Sequence, residues 1–87
     1  MEFQTGIYQH FKGGTVLVVG LSVSSDDQQR VLYIGVQDKT FHDRPLEEFS
    51  DIVVKSGQEF KRFKLVTPIT ITPENILEVF SQQLTLK

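Results

Sequence analysis

Along residues 6–66 the apolar positions recur at strand-like spacing, and beyond residue 72 they recur at helical spacing. Gly6 to Phe11 alternates apolar and polar and predicts a first strand. Thr15 to Val23 is rich in Val, Leu and Thr, which suit a pleated, half-buried surface, and is the strongest strand. Gly20 within it marks a bulge or bend. Arg30 to Val36, with Gly35 as another bend, Thr40 to Asp43, Asp51 to Lys55 and Phe60 to Val66 complete the predicted strands. Lys12-Gly13-Gly14, the polar stretch around Ser24-Ser25-Asp26-Asp27, Gln37-Asp38-Lys39 and Ser56-Gly57 supply the reversals.

Two segments read differently. In Arg44-Pro45-Leu46-Glu47-Glu48-Phe49, proline suits the first helical position and Leu46 and Phe49 share one side of a single turn. That turn is expected to plug one end of a barrel. Thr72-Pro73-Glu74 is a helix start, with a Thr cap and an acid near the positive end, and predicts a helix over residues 72–84. Ile76, Leu77, Phe80 and Leu84 form its apolar face. About three turns are not stable alone, so this face must dock on the barrel or on a second copy of the chain. The expected class is mainly β: a small SH3-like or open β-barrel with a short Arg-Pro helical turn and an added C-terminal α-helix.

Composition narrows the function classes. With 87 residues the chain is read as a single domain, residues 6–66 forming the core and residues 72–84 the helix. Lys+Arg is 9 and Asp+Glu is 11, a net charge of -2, which is unlike the basic balance of most nucleic-acid binders. The chain has no cysteine, which excludes disulfides, thiolate zinc sites and cysteine nucleophiles. Its N-terminus lacks the charged and apolar regions of a signal peptide, and Val16-Leu17-Val18-Val19 is too short to span a membrane. A cytoplasmic location is expected, with no membrane contact.

Tyr8-Gln9-His10-Phe11-Lys12-Gly13 resembles the Tyr-x-His-Phe/Tyr-Lys-Gly opening of a family of short bacterial and phage proteins, domain of unknown function 1653. Val31-Leu32-Tyr33 resembles that family's central Val-Val-Tyr strand. Arg44-Pro45-Leu46-Glu47-Glu48-Phe49 resembles its Arg-Pro-Leu-x-x-Phe turn, and Arg62-Phe63 its closing Pro-Arg-Phe. The likeness spans roughly residues 6–66 and implies a compact β fold, with no defined activity. One departure is His42-Asp43, which stands where the family carries a short aliphatic residue before Arg-Pro.

Tyr8, His10 and Lys12 follow one another at period two and so share a face of the first strand. A ring, an imidazole and an ammonium together suit a planar, anionic ligand. The plainer reading has Tyr8 half-buried and the other two solvated. Lys12-Gly13-Gly14 can offer backbone N–H groups to an anion or act as an ordinary hairpin turn. Arg44 can grip a phosphate in a bidentate way or pair with Asp43, Glu47 or Glu48, and Phe41 and His42 border it. Lys61, Arg62 and Lys64, interleaved with Phe60 and Phe63, look like a nucleic-acid strip, although alternation divides these charges between faces.

The leading expectation is a non-catalytic binding module for a small anionic, nucleotide-like ligand held by Tyr8, His10, Lys12, Phe41, His42 and Arg44. Small phage proteins that sequester nucleotide signals supply the analogy. The alternatives are a protein-interaction or homo-oligomerisation module, using Ile76, Leu77, Phe80 and Leu84, and binding of RNA or single-stranded DNA. No enzyme, cofactor or metal centre is expected, and nucleic acid is the weaker partner.

Overall fold

The computed structural model describes residues 3–85. Its elements are β1 (Gly6–His10), β2 (Thr15–Val23), β3 (Gln29–Gly35), β4 (Phe41–Pro45), α1 (Leu46–Phe49), β5 (Ile52–Lys55), β6 (Gln58–Lys61), β7 (Phe63–Pro68) and α2 (Ile76–Thr85). The chain is mainly β, as its alternating pattern requires. β1 to β4 form an antiparallel meander, and β7 returns to pair with β1, giving a five-stranded sheet of order β4-β3-β2-β1-β7. β5 and β6 form a separate two-stranded hairpin.

The sheet curls but does not close. β4 and β7 are its two edges and are not paired with each other, so the architecture is the open form of the expected barrel. The curl shows in the side chains. Tyr33 of β3 and Phe63 of β7 are separated in the sheet by β2 and β1, yet their ring centroids lie 5.5 Å apart. Register slips help the sheet bend, one between Ile7 and Tyr8 and one between Val18 and Gly20, where Val19 is the extra residue beside the glycine singled out in the sequence.

Both faces of the sheet are buried. On one, Tyr8, Val16, Val18, Val31 and Tyr33 pack with Phe63 and with Phe49 and Leu46 of α1. The Phe49 and Phe63 rings stack at 4.4 Å and 8°, and Tyr8 meets Phe49 edge-on at 5.2 Å. Such pairs add about 0.5–1.5 kcal/mol each beyond area burial. On the opposite face, Leu17 and Ile34 pack with Val79 of α2, flanked by Ile7, Val19, Ile69, Ile71 and Phe80.

Two glycines lie hard against neighbouring atoms. Gly6 has φ of +142°, and a Cβ there would lie 2.2 Å from the Thr67 carbonyl oxygen, so only glycine lets β1 start against β7. At Gly35 a Cβ would meet Asp38 Oδ1 at 2.3 Å, because the chain folds back at once into the turn before β4.

Some boundaries differ from the pattern. The single strand expected over Phe60–Val66 is broken at Arg62. The Arg62 N–H donates to the Asp51 carbonyl at 3.0 Å while its carbonyl accepts from Phe11 N–H at 3.0 Å. One residue thus hands the chain from the hairpin to the sheet, with a bend that local alternation does not record. The helix expected over residues 72–84 begins at Ile76, after a turn. Thr72 closes the turn that leads into it. Asn75 N–H donates to Thr72 Oγ1 at 3.3 Å, and Thr72 N–H donates to Asn75 Oδ1 at 2.8 Å, a reciprocal capping box.

α2 docks on its own chain's sheet. Val79, absent from the apolar face read in the sequence, is the buried anchor, whereas Leu77 is 79% exposed. Ile76 is half-buried, Phe80 reaches Phe41 at 6.0 Å, and the Leu84 side chain lies outside the described residues. Val79→Ala is expected to cost about 2 kcal/mol through lost methyl burial and the cavity left behind. Leu77→Ala should stay within about 0.5 kcal/mol. Urea unfolding reads both, and equal losses would contradict this docking.

Candidate functional site

The end of the sheet at the β1–β2 turn carries most of the cationic chemistry. His10 closes β1, and its ring sits against Phe63 at 4.9 Å and Phe11 at 4.7 Å. The Lys12 N–H donates to His10 Nδ1 at 3.1 Å, which assigns Nδ1 as acceptor and leaves the proton of the neutral ring on Nε2. Burial, then the positive charges of Arg44, Arg62 and Lys12, hold the His10 pKa below its ordinary value. His10 is therefore a neutral donor at pH 7, placed among cations.

The turn itself spends its donors internally. Gly13 N–H bonds the His10 carbonyl at 2.8 Å, and Lys12 N–H is taken by the imidazole. The ordinary hairpin reading of Lys12-Gly13-Gly14 thus describes its geometry, without an anion-binding nest of those N–H groups.

Arg44 stands on β4 opposite Val31. Its Nε donates to the Tyr33 hydroxyl at 3.0 Å, its guanidinium carbon lies 5.7 Å from the Phe63 ring centroid, and Nη1 pairs with Glu48. It therefore bridges β4, α1 and β7 across the gap that backbone pairing leaves open. His42 stacks on Tyr33 at 5.3 Å and 18° and bonds Thr40 and Asp38 through Nε2.

The sequence-derived candidates divide accordingly. His10 and Arg44 converge on Phe63, and Lys12 lies near enough to act on His10. His42 shares that face, as its Tyr33 contact shows. Tyr8 is only 8% exposed, and its hydroxyl donates to the Gln4 carbonyl at 2.6 Å, so its ring is core rather than a stacking platform in the cleft. Phe41 also lies apart from the cluster. Strand alternation puts it on the α2 face beside Phe80, away from His10 and Arg44.

A cleft of about 490 Å³ opens beside His10, between the β1–β2 turn and the β5–β6 hairpin. Phe11, Phe60, Lys61 and Lys64 line it, together with Gln9, Gly13 and Glu59. Phe60 is 39% exposed, so its ring is open to a guest. Among the six residues predicted to bind ligand, only His10 lines this cleft. Lys61, Lys64 and Phe60 were visible in the sequence as a basic, aromatic strip, but the break at Arg62 turns them around a hollow. Gln9, Phe11 and Glu59 carried no signal of their own, because the cleft joins segments distant in sequence.

The comparisons agree with this architecture. A family model described as a protein of unknown function (DUF1653) matches residues 6–65. The chain belongs to the DUF1653 family. A crystal structure of a DUF1653 protein from Bordetella bronchiseptica is similar, with 25% identity and a TM-score of 0.71, covering 82% of this chain and 96% of that one. No curated protein matches.

The DUF1653-like motifs can now be read physically. Tyr8, Tyr33, Phe49 and Phe63 are the ring core of the α1 face, Leu46 packs on it, and Arg44 spans its open side. These motif residues hold the curl, while the cleft takes one wall from the Tyr8–Gly13 motif and the other, Glu59, Phe60, Lys61 and Lys64, from outside the motifs. One prediction concerns His10. Because its folded-state pKa is depressed, the unfolded chain takes up a proton first as pH falls below 6.5, and stability drops in that window. His10→Gln should flatten the slope of unfolding free energy just below pH 6.5. Chemical denaturation at stepped pH measures it, and an unchanged slope would contradict the depressed pKa.

Proposed function

We propose that the protein is a non-catalytic binding module for a small anionic, nucleotide-like ligand, held in the cleft between the β1–β2 turn and the β5–β6 hairpin. The observation that carries this reading is the lining. Lys61 and Lys64 meet the rings of Phe11 and Phe60 in one hollow, on a chain whose net charge is -2. Rings hold a planar group and ammonium groups neutralise phosphate, while the neutral His10 adds an Nε2–H donor. The volume falls within the range of about 300–1,000 Å³ usual for ligand sites. Sequestration of a nucleotide signal requires nothing further from the site.

Extended nucleic acid is less well supported. Phe63 is buried and the strip is broken at Arg62, so rings and cations do not run along one strand. Association between copies has its own support. Leu65 and Val66 are exposed on the free β7 edge, and Ile52 and Val54 are exposed on the hairpin. Light scattering tests it: a dimer mass at micromolar concentration supports edge pairing, and a monomer at millimolar concentration removes it.

Among the described residues no helix is long and apolar enough to cross a membrane. The binding reading is tested by calorimetry of the full chain against a panel of nucleoside mono- and diphosphates. Binding is expected for at least one, and the Lys61→Ala/Lys64→Ala double variant should lose about a hundredfold in affinity, from two charge-assisted contacts. Both lysines are exposed, so the fold should persist. Heat from no member, or an unaffected double variant, would refute the assignment.

A further inference from the structure

A second depression adjoins the first. It is a groove of about 310 Å³, floored by Tyr8, Phe49 and Phe63 and rimmed by Leu65, Gln4 and Ser50. Lys61 lines this groove and the cleft alike. The local sequence shows how. Phe60 belongs to the cleft, Phe63 to the groove, and Lys61 stands between them just before the bend at Arg62.

We propose that the two depressions form one bipartite site whose ligand is a dinucleotide, with a base in each hollow and the bridging phosphate on Lys61. This rests on the cleft reading above and names its ligand class. Three features support it. The cleft offers the exposed Phe60 ring and the groove the exposed Leu65 side chain above a closed floor of core rings, each with polar groups, Gln9 and Glu59 in one and Gln4 and Ser50 in the other, which suits a nucleobase better than an acyl chain. The shared group is a single ammonium, which matches the single negative charge of a phosphodiester. Lys64 adds a second cation only on the cleft side, where a terminal phosphate would lie. A mononucleotide fills one hollow and leaves the other's apolar surface in water.

The test compares adenosine monophosphate, the linear 5′-phosphorylated dinucleotide pApA (ApA below) and a hexa-adenylate by calorimetry on the full chain. ApA should bind at least tenfold more tightly than the mononucleotide, and the hexamer no more tightly than ApA. Leu65→Trp, which fills the groove from its rim, should bring the ratio of ApA to mononucleotide affinity down to about one, as should Ser50→Phe. Circular dichroism checks that each variant is folded, and the two variants come from different elements, so misfolding of one leaves the other as the test. Equal affinity for mononucleotide and ApA would overturn the bipartite site while leaving the cleft reading intact. A hexamer that binds still more tightly, with steep salt dependence, would overturn it in favour of single-stranded nucleic acid. No binding by any of the three would overturn the bipartite site, and silence across the wider nucleotide panel as well would take the cleft reading with it.

Discussion

The stack of Phe63 on Phe49 is the contact on which the molecule's shape rests. A five-stranded sheet with two free edges has no reason of its own to roll up, because the hydrogen bonds that would close it are not made. Ring packing takes their place. Phe63 arrives from the edge strand β7, Phe49 from the turn after the opposite edge strand β4, and they meet at 4.4 Å over Tyr8 and Tyr33. Apolar burial has no direction, so it can join strands that lack hydrogen-bonding register. Arg44 then covers what the rings leave, with its guanidinium over Phe63 and its Nε on the Tyr33 hydroxyl.

That closure explains why cations collect at one end of an acidic protein. Arg44 is drawn to the ring cluster by β4, Arg62 by the hairpin junction, and Lys12 by the first turn, and their charges converge on His10. Part of this charge is already answered within the chain. Glu48 pairs with Arg44, and Asp51 lies 3.8 Å from Arg62. Lys61 and Lys64 are exposed beside the hollow and differ in that respect from the half-buried Arg44 and Arg62. The division separates cations that hold the fold from cations available to a guest.

Much of the fold was legible in the sequence, and the reasons are local. Period-two alternation and turn glycines marked the meander, and Thr72 marked the turn that leads into α2 because its bonds with Asn75 span a single turn. Pro45, Leu46 and Phe49 gave α1 for the same reason. The misreadings came from non-local packing. Alternation from Phe60 to Val66 looks continuous, and only the competing partners Asp51 and Phe11 break it at Arg62. Tyr8 and Phe41 were aromatic and near basic residues in sequence, but burial of the first and the face of the second are set by strands far along the chain. On α2, Leu77 and Val79 are both apolar, and the sheet beneath selects Val79.

The hairpin of β5 and β6 hangs from the curled sheet at one residue and contributes nothing to either core cluster. Its side chains are thus released from the duty of keeping the molecule folded. Drift there would remodel the wall of the hollow at little thermodynamic cost while leaving the same silhouette.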